Sequence, residues 1–184
     1  MSDSREPAGF RYDRVTVLVH WAVAALVIEQ WFGGRTIDWF AKGPPKVDAR
    51  SVHILLGALL TGLVVFRLYW RAFAGARRPA DATAGAALAR GAHWALMLLL
   101  MALVGLGLCL SSLRADSLFG VGRIPAPPGF TAEHRHLIAN DFTHLHGSVA
   151  NLLLALIGLH VGAALVHRFW LRDGVMQRML WRAP

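Results

Sequence analysis

Four apolar runs, each near the length that crosses a bilayer, constrain this 184-residue chain more than any other feature. They cover about Val15 to Phe32, Ser51 to Trp70, Gly91 to Leu113 and Phe142 to Trp170. A helix rises about 1.5 Å per residue, so about 20 apolar residues span the hydrocarbon core. The last run is longer, so its ends project or tilt. The composition agrees: 55% of residues are hydrophobic and 16% charged, against about a quarter charged in a soluble domain. The expected fold is an all-α membrane protein, one four-helix transmembrane bundle forming a single domain over residues 1–184.

Asp3, Arg5, Glu6, Arg11, Asp13 and Arg14 precede the first run, which ends at Gly33-Gly34-Arg35 without a small-residue cleavage pattern. It reads as a retained span, not a removable signal peptide. The segments between runs read as loops. Residues 33–50 hold Pro44-Pro45, residues 71–90 hold Arg77-Arg78-Pro79, and residues 114–141 hold Pro125, Pro127, Pro128 and Gly129. A short surface helix is expected within the last, near Thr131 to Ile138. The lone cysteine, Cys109, excludes an internal disulfide and reads as a small buried hydrophobe.

The formal net charge is +8. Such a balance can signal nucleic acid, but no matching motif is present and almost all the Lys and Arg lie outside the apolar runs, so no nucleic-acid partner is expected. Membrane topology explains the charge better. Arg5, Arg11, Arg14, Arg67, Arg71, Arg77, Arg78, Arg90, Arg168, Arg172, Arg178 and Arg182 fall on one side. Arg35, Lys42, Lys46, Arg50, Arg114, Arg123 and Arg135 fall on the other. Twelve against seven places both termini in the cytoplasm. Most of the seven tryptophans, Trp181 among them, sit near run ends, as interface anchors do.

Nine histidines are many for so apolar a chain, and each polar group at membrane depth needs a partner. His146 and His160 are 14 residues apart in the fourth run. At 100° per residue they share a face, and a rise of about 21 Å sets one toward each side of the membrane. His144 falls on nearly the opposite face. Measured from the charged boundaries, His20 shares a level with His160, and His53 shares one with His146. Two antipodal pairs follow, His20 with His160 and His53 with His146. Each supplies the two axial imidazoles of a six-coordinate haem, an arrangement suited to carrying electrons. Small residues flank these positions: Gly57, Gly147, Gly158 and Gly162. They suit a macrocycle's approach, or plain helix packing.

Arg67 lies 14 residues after His53, on nearly the same face at the inner level, where it can meet a haem propionate. Arg71, one turn on, reads as ordinary inner-side charge. His93 and His167 lie near the same boundary and can contact propionates or a quinone carbonyl. Glu29, on the face opposite His20, reads as an interfacial carboxylate, with a proton path as the other reading. A metal transporter, the main rival to haem, would normally bring intramembrane carboxylates, and Glu29 is the one acidic residue inside a run.

The chain resembles the bacterial dihaem cytochrome b561 family over essentially its whole length. The resemblance rests on Val19-His20-Trp21, Val52-His53 through Gly57, His93, His146-Gly147-Ser148-Val149-Ala150-Asn151 through Gly158-Leu159-His160, and the ending His167 to Asp173. It implies two b haems ligated by His20, His160, His53 and His146, in a multi-pass protein of the bacterial inner membrane. It also implies electron exchange with ubiquinone, and in some members oxidation of superoxide at the periplasmic face. Residues 33–50 carry a net +2, which would steer an anion weakly. The alternative is a non-catalytic haem-bearing anchor or electron-transfer subunit of a larger dehydrogenase or hydrogenase. Short termini favour a stand-alone oxidoreductase taking electrons from superoxide or another one-electron donor.

Overall fold

Asp13 opens the first helix. Its Oδ1 accepts from the Thr16 backbone N–H at 2.8 Å and its Oδ2 from the Thr16 hydroxyl at 2.7 Å. That satisfies one of the amides left orphaned at a helix start. From there α1 runs Arg14–Thr36 in the computed structural model, which describes residues 11–75 and 84–180. A 3₁₀ turn at Ile37–Trp39 and a turn through Gly43, at φ 111°, lead into α2, Pro44–Phe73. Next come α3, Ala84–Arg114, and a two-residue hairpin of β1, Ser117–Leu118, with β2, Gly122–Arg123. The fourth helix, α4, spans Ala132–Val166, followed by a π-helical turn at His167–Leu171 and a 3₁₀ turn at Met176–Met179.

All four apolar runs are helical, and all four helices are long and apolar enough to cross a membrane. They are longer than the runs. The expected loop at 33–50 is mostly helix, because α1 continues to Thr36 and α2 begins at Pro44. The two prolines start a helix here instead of breaking one, since first-turn residues need no N–H partner. The separate surface helix expected near Thr131 to Ile138 is the opening of α4, whose start is set by the Thr131 hydroxyl accepting from His134 N. Hydropathy marks the depth of the hydrocarbon, whereas caps and turn residues mark where a helix stops. Cys109 is exposed on α3, not buried as expected. Asp3, Arg5, Glu6, Arg77, Arg78, Pro79, Trp181 and Arg182 lie outside the described residues.

α1 packs chiefly on α2 and α3 chiefly on α4, with α2 against α3 joining the two hairpins. The buried centre is Val23, Val27, Leu60, Val64, Leu100 and Leu153. Large apolar side chains also cover the outside; Leu59, Val65, Leu152 and Leu159 are all more than half exposed. In water that surface would be a liability; in lipid the outward apolar face has its natural solvent.

The two ends differ. At the proximal end, where α1 begins and α4 finishes, Trp70 Nε1 donates to Asp13 Oδ1 at 3.1 Å. Trp21 Nε1 donates to the Met179 carbonyl at 2.9 Å, so the C-terminal segment folds back against α1. At the distal end the hairpin is strapped to α2. The fully buried Ser51 hydroxyl accepts from Phe119 N at 2.9 Å and contacts the carbonyls of Val47 and Ser117, while Arg50 pairs with Asp116 at 3.2 Å.

Candidate functional site

The helix faces place the histidines as their spacing predicts. His146 turns inward on α4 while His144 is exposed. At the distal level, the His53 ring on α2 and the His146 ring on α4 stand 6.4 Å apart between centres, at 83°. At the proximal level, His20 on α1 and His160 on α4 stand 6.5 Å apart, at 71°. Each pair therefore joins the α1–α2 hairpin to the α3–α4 hairpin across the seam between them.

The separation tests whether a metal fits. With a metal–imidazole bond of about 2.0–2.1 Å and the ring centre about 1.1 Å beyond the nitrogen, antipodal ring centres lie about 6.2–6.4 Å apart. Both pairs match that spacing within a few tenths of an ångström. Among the described residues, no three His, Cys, Asp or Glu side chains converge into a metal cage. What comes together is opposed imidazoles in twos, one pair at each level.

The distal pair faces a cavity lined by Gln30, Trp31, Gly57, Gly107, Ser111 and Leu153, among others. Among the described residues, the buried side-chain atoms without a hydrogen-bond partner are Gln30 Oε1, His53 Nδ1 and His146 Nδ1, and all three residues line this cavity. Buried polar groups are nearly always satisfied, so three orphans around one cavity mark a place where polar chemistry is expected.

Glycines let the rings in. A Cβ on Gly34 would sit 3.1 Å from His53 Cε1, and one on Gly107 would sit 3.3 Å from His146 Cε1. Sequence reasoning missed both, having chosen glycines next to the histidines in sequence. At Gly147, Gly158 and Gly162 a Cβ would meet no described atom within 4 Å, so tight helix packing does not explain those three. Gly57 serves Gln30, whose Nε2 would be 3.3 Å from a Cβ there.

Arg67 does reach the proximal level. Its Nη1 lies 3.3 Å from His20 Nδ1. His93 on α3 meets His160 edge-on at 5.4 Å, which sets a third imidazole beside the proximal pair. His167 sits in the π-helical turn with its Nδ1 on the Asp173 carboxylate. Arg71 is exposed at the proximal end, and Glu29 is exposed on α1. Gln30 is the functional candidate that sequence reasoning passed over. Next to Glu29 near a run end, an amide reads as interfacial polarity.

The distal cations are largely engaged. Lys46 pairs with Asp38 at 2.7 Å, Arg50 with Asp116, and Arg35 reaches Asn151 Oδ1, which also accepts from Trp31 Nε1 at 3.1 Å.

Comparison with known proteins bears on this arrangement. Residues 11–182 match the family described as prokaryotic cytochrome b561. A curated relative from Yersinia pestis, described as a probable superoxide oxidase CybB, is 27% identical over 175 residues, covering 92% of this chain and 96% of the relative.

Proposed function

Because the chain belongs to the prokaryotic cytochrome b561 family, a family of electron-transfer proteins, we propose that it binds two b-type haems, one between each histidine pair. It is a multi-pass protein of the inner membrane. His20 and His160 would hold the proximal haem, and His53 and His146 the distal one. The observation that carries this reading is the repeated opposition of two imidazoles at 6.4 and 6.5 Å, at two levels of one seam. Bound there, the haems would supply two one-electron carriers whose iron has no open coordination position. Arg67 and His93, both at the proximal level, suit propionate contacts. Val27, Leu60, Leu103 and Leu153 give the cavity beside the distal pair a largely apolar wall.

The reaction we propose moves electrons from the distal end to the proximal end and on to ubiquinone. Two superoxide anions each give up one electron and leave as dioxygen, while one quinone takes the two electrons and two protons to become quinol. Support for superoxide as donor comes from the relative's description and from the distal position of Arg35, Lys42, Lys46 and Arg50. The steering is local, because Lys46 and Arg50 are neutralised by Asp38 and Asp116. In this scheme both termini face the cytoplasm, as the asymmetry of Lys and Arg indicates.

Purified protein tests the reading directly. Its reduced spectrum should show low-spin b-haem bands at about two haems per chain. A folded, colourless preparation overturns it. Stopped-flow mixing with a superoxide pulse, with and without quinone, then tests the donor: haem reduction that quinone reverses supports the scheme, and inert haems refute superoxide as the donor.

A further inference from the structure

Gln30 occupies a place where this helix otherwise buries hydrocarbon. Val23, Val27 and Gln30 fall on one stripe of α1, and each is more than nine-tenths buried. An amide at such a position needs both of its ends satisfied. One end is: Nε2 donates to the backbone carbonyl of His53 at 2.8 Å. The other end, Oε1, is sealed from solvent without a partner in a residue that lines the distal cavity. The orientation is fixed by chemistry, because turning the amide over would set oxygen against the His53 carbonyl oxygen.

The bond is unusual in its target. The His53 carbonyl lies inside α2, where it already accepts from the N–H one turn ahead, that of Gly57. A carbonyl has two lone pairs, so it can take a second donor, and this one comes from a neighbouring helix. Gly57 makes room, since a Cβ there would crowd Nε2 at 3.3 Å. The tie thus joins α1 to α2 at the residue whose ring opposes His146.

We propose that Gln30 is a positioning residue for the distal haem: its clamp on the His53 carbonyl fixes the rotation of α2 and hence the aim of the His53 imidazole. Its free Oε1 adds a buried acceptor to the cavity wall beside that ligand. The inference rests on the dihaem reading, and its test is built to separate the two. Groups behind a ligating histidine typically change metal affinity by about 10–100-fold when removed.

The test uses the full-length protein with Gln30→Met, which keeps length and removes the donor, and Gly57→Ala, which crowds the amide from the other side. The readouts are haem per chain, the low-spin EPR signals and a redox titration. Gln30→Met should weaken retention of the distal haem by about 10–100-fold and shift its EPR signal, leaving the proximal signal as an internal measure of folding. Gly57→Ala should reproduce the distal shift, and the double variant should be no worse than Gln30→Met alone, as expected for two changes acting on one bond. If Gln30→Met loses both haems through misfolding, Gly57→Ala decides. Two haems in the wild type with an unshifted distal signal in a folded variant overturn this inference alone. A wild type without haem overturns it together with the dihaem reading.

Discussion

Arg67 Nη1 stands 3.3 Å from His20 Nδ1, and an arginine can only donate. In this contact Nδ1 must therefore be the acceptor, which leaves the ring proton on Nε2. A metal at Nε2 requires the opposite tautomer, with the proton on Nδ1. Binding of a haem at the proximal pair should therefore turn the guanidinium from His20 toward an acceptor such as a propionate. Arg67→Leu is expected to lower the proximal haem potential by on the order of 50 mV, close to a tenfold change for a one-electron couple, because a neighbouring cation favours the reduced state. Arg67→Lys should recover much of that shift. A redox titration of the two variants, with an unmoved proximal potential in Arg67→Leu, would exclude the guanidinium as a partner of the group bound there.

The pairing makes a second, combinatorial prediction. His20→Ala or His160→Ala should remove one haem, and His53→Ala or His146→Ala the other, each taking the content from about two per chain to about one. His144→Ala should keep both, because that side chain is exposed on the far face of α4. Haem extraction and quantification across the set checks the assignment. A His146→Ala protein that keeps two haems would break the distal pair.

Three glycines provide a steric test. Gly34→Ala puts a methyl 3.1 Å from His53 Cε1, and Gly107→Ala puts one 3.3 Å from His146 Cε1. Both should weaken the distal haem and spare the proximal one. Gly105→Ala, two residues from Gly107 on the same helix, meets nothing within 4 Å and should be neutral or stabilising by up to about 1 kcal/mol. Parallel EPR spectra would show whether the distal signal follows the contacts. Equal effects of Gly105→Ala and Gly107→Ala would mean that backbone propensity, not ring contact, is at work.

The C-terminal segment carries a pH dependence of definite sign. Partial burial pushes the Asp173 carboxyl up, but the hydrogen bonds from His167 and from the Val175 N–H outweigh this and hold it below the usual carboxylate value. A depressed acid contributes stability that is present above its unfolded value, about 3.9, and is lost as pH falls through the folded one. Both partners are more than a third exposed, so solvent screening keeps the contribution within about 1 kcal/mol. Hydrogen exchange over residues 172–180 should be pH-insensitive in its protection near neutrality and weaken below about pH 4. Asp173→Asn should remove that acid-dependent loss, and a wild-type profile in this variant would show that another carboxyl controls the segment.

The histidine pairs are legible in the sequence because a helix has a fixed period. His146 and His160 share a face at a spacing of 14, and depth then matches each to a partner on another helix. Gln30 and Gly107 are not legible in this way. Gln30 contacts a carbonyl 23 positions away, and Gly107 borders a ring 39 positions along the chain. Nothing in their immediate neighbours distinguishes an amide that clamps a helix from one that meets water, or a glycine that admits a ring from one that faces lipid. The cations of residues 33–50 are visible as a net charge, but their pairing with Asp38 and Asp116 is not, since Asp116 comes from the distant hairpin.

The sequence by itself determined four spanning helices and which histidines face inward, because hydrocarbon thickness and the 3.6-residue period act along one segment at a time. Only the tertiary structure decided which glycines border the imidazoles, that Arg67 lies against His20 and that Gln30 is tied to His53. Those relationships depend on the rotation and approach of one helix against another, and rotation is set by packing across the whole seam, which no single segment encodes.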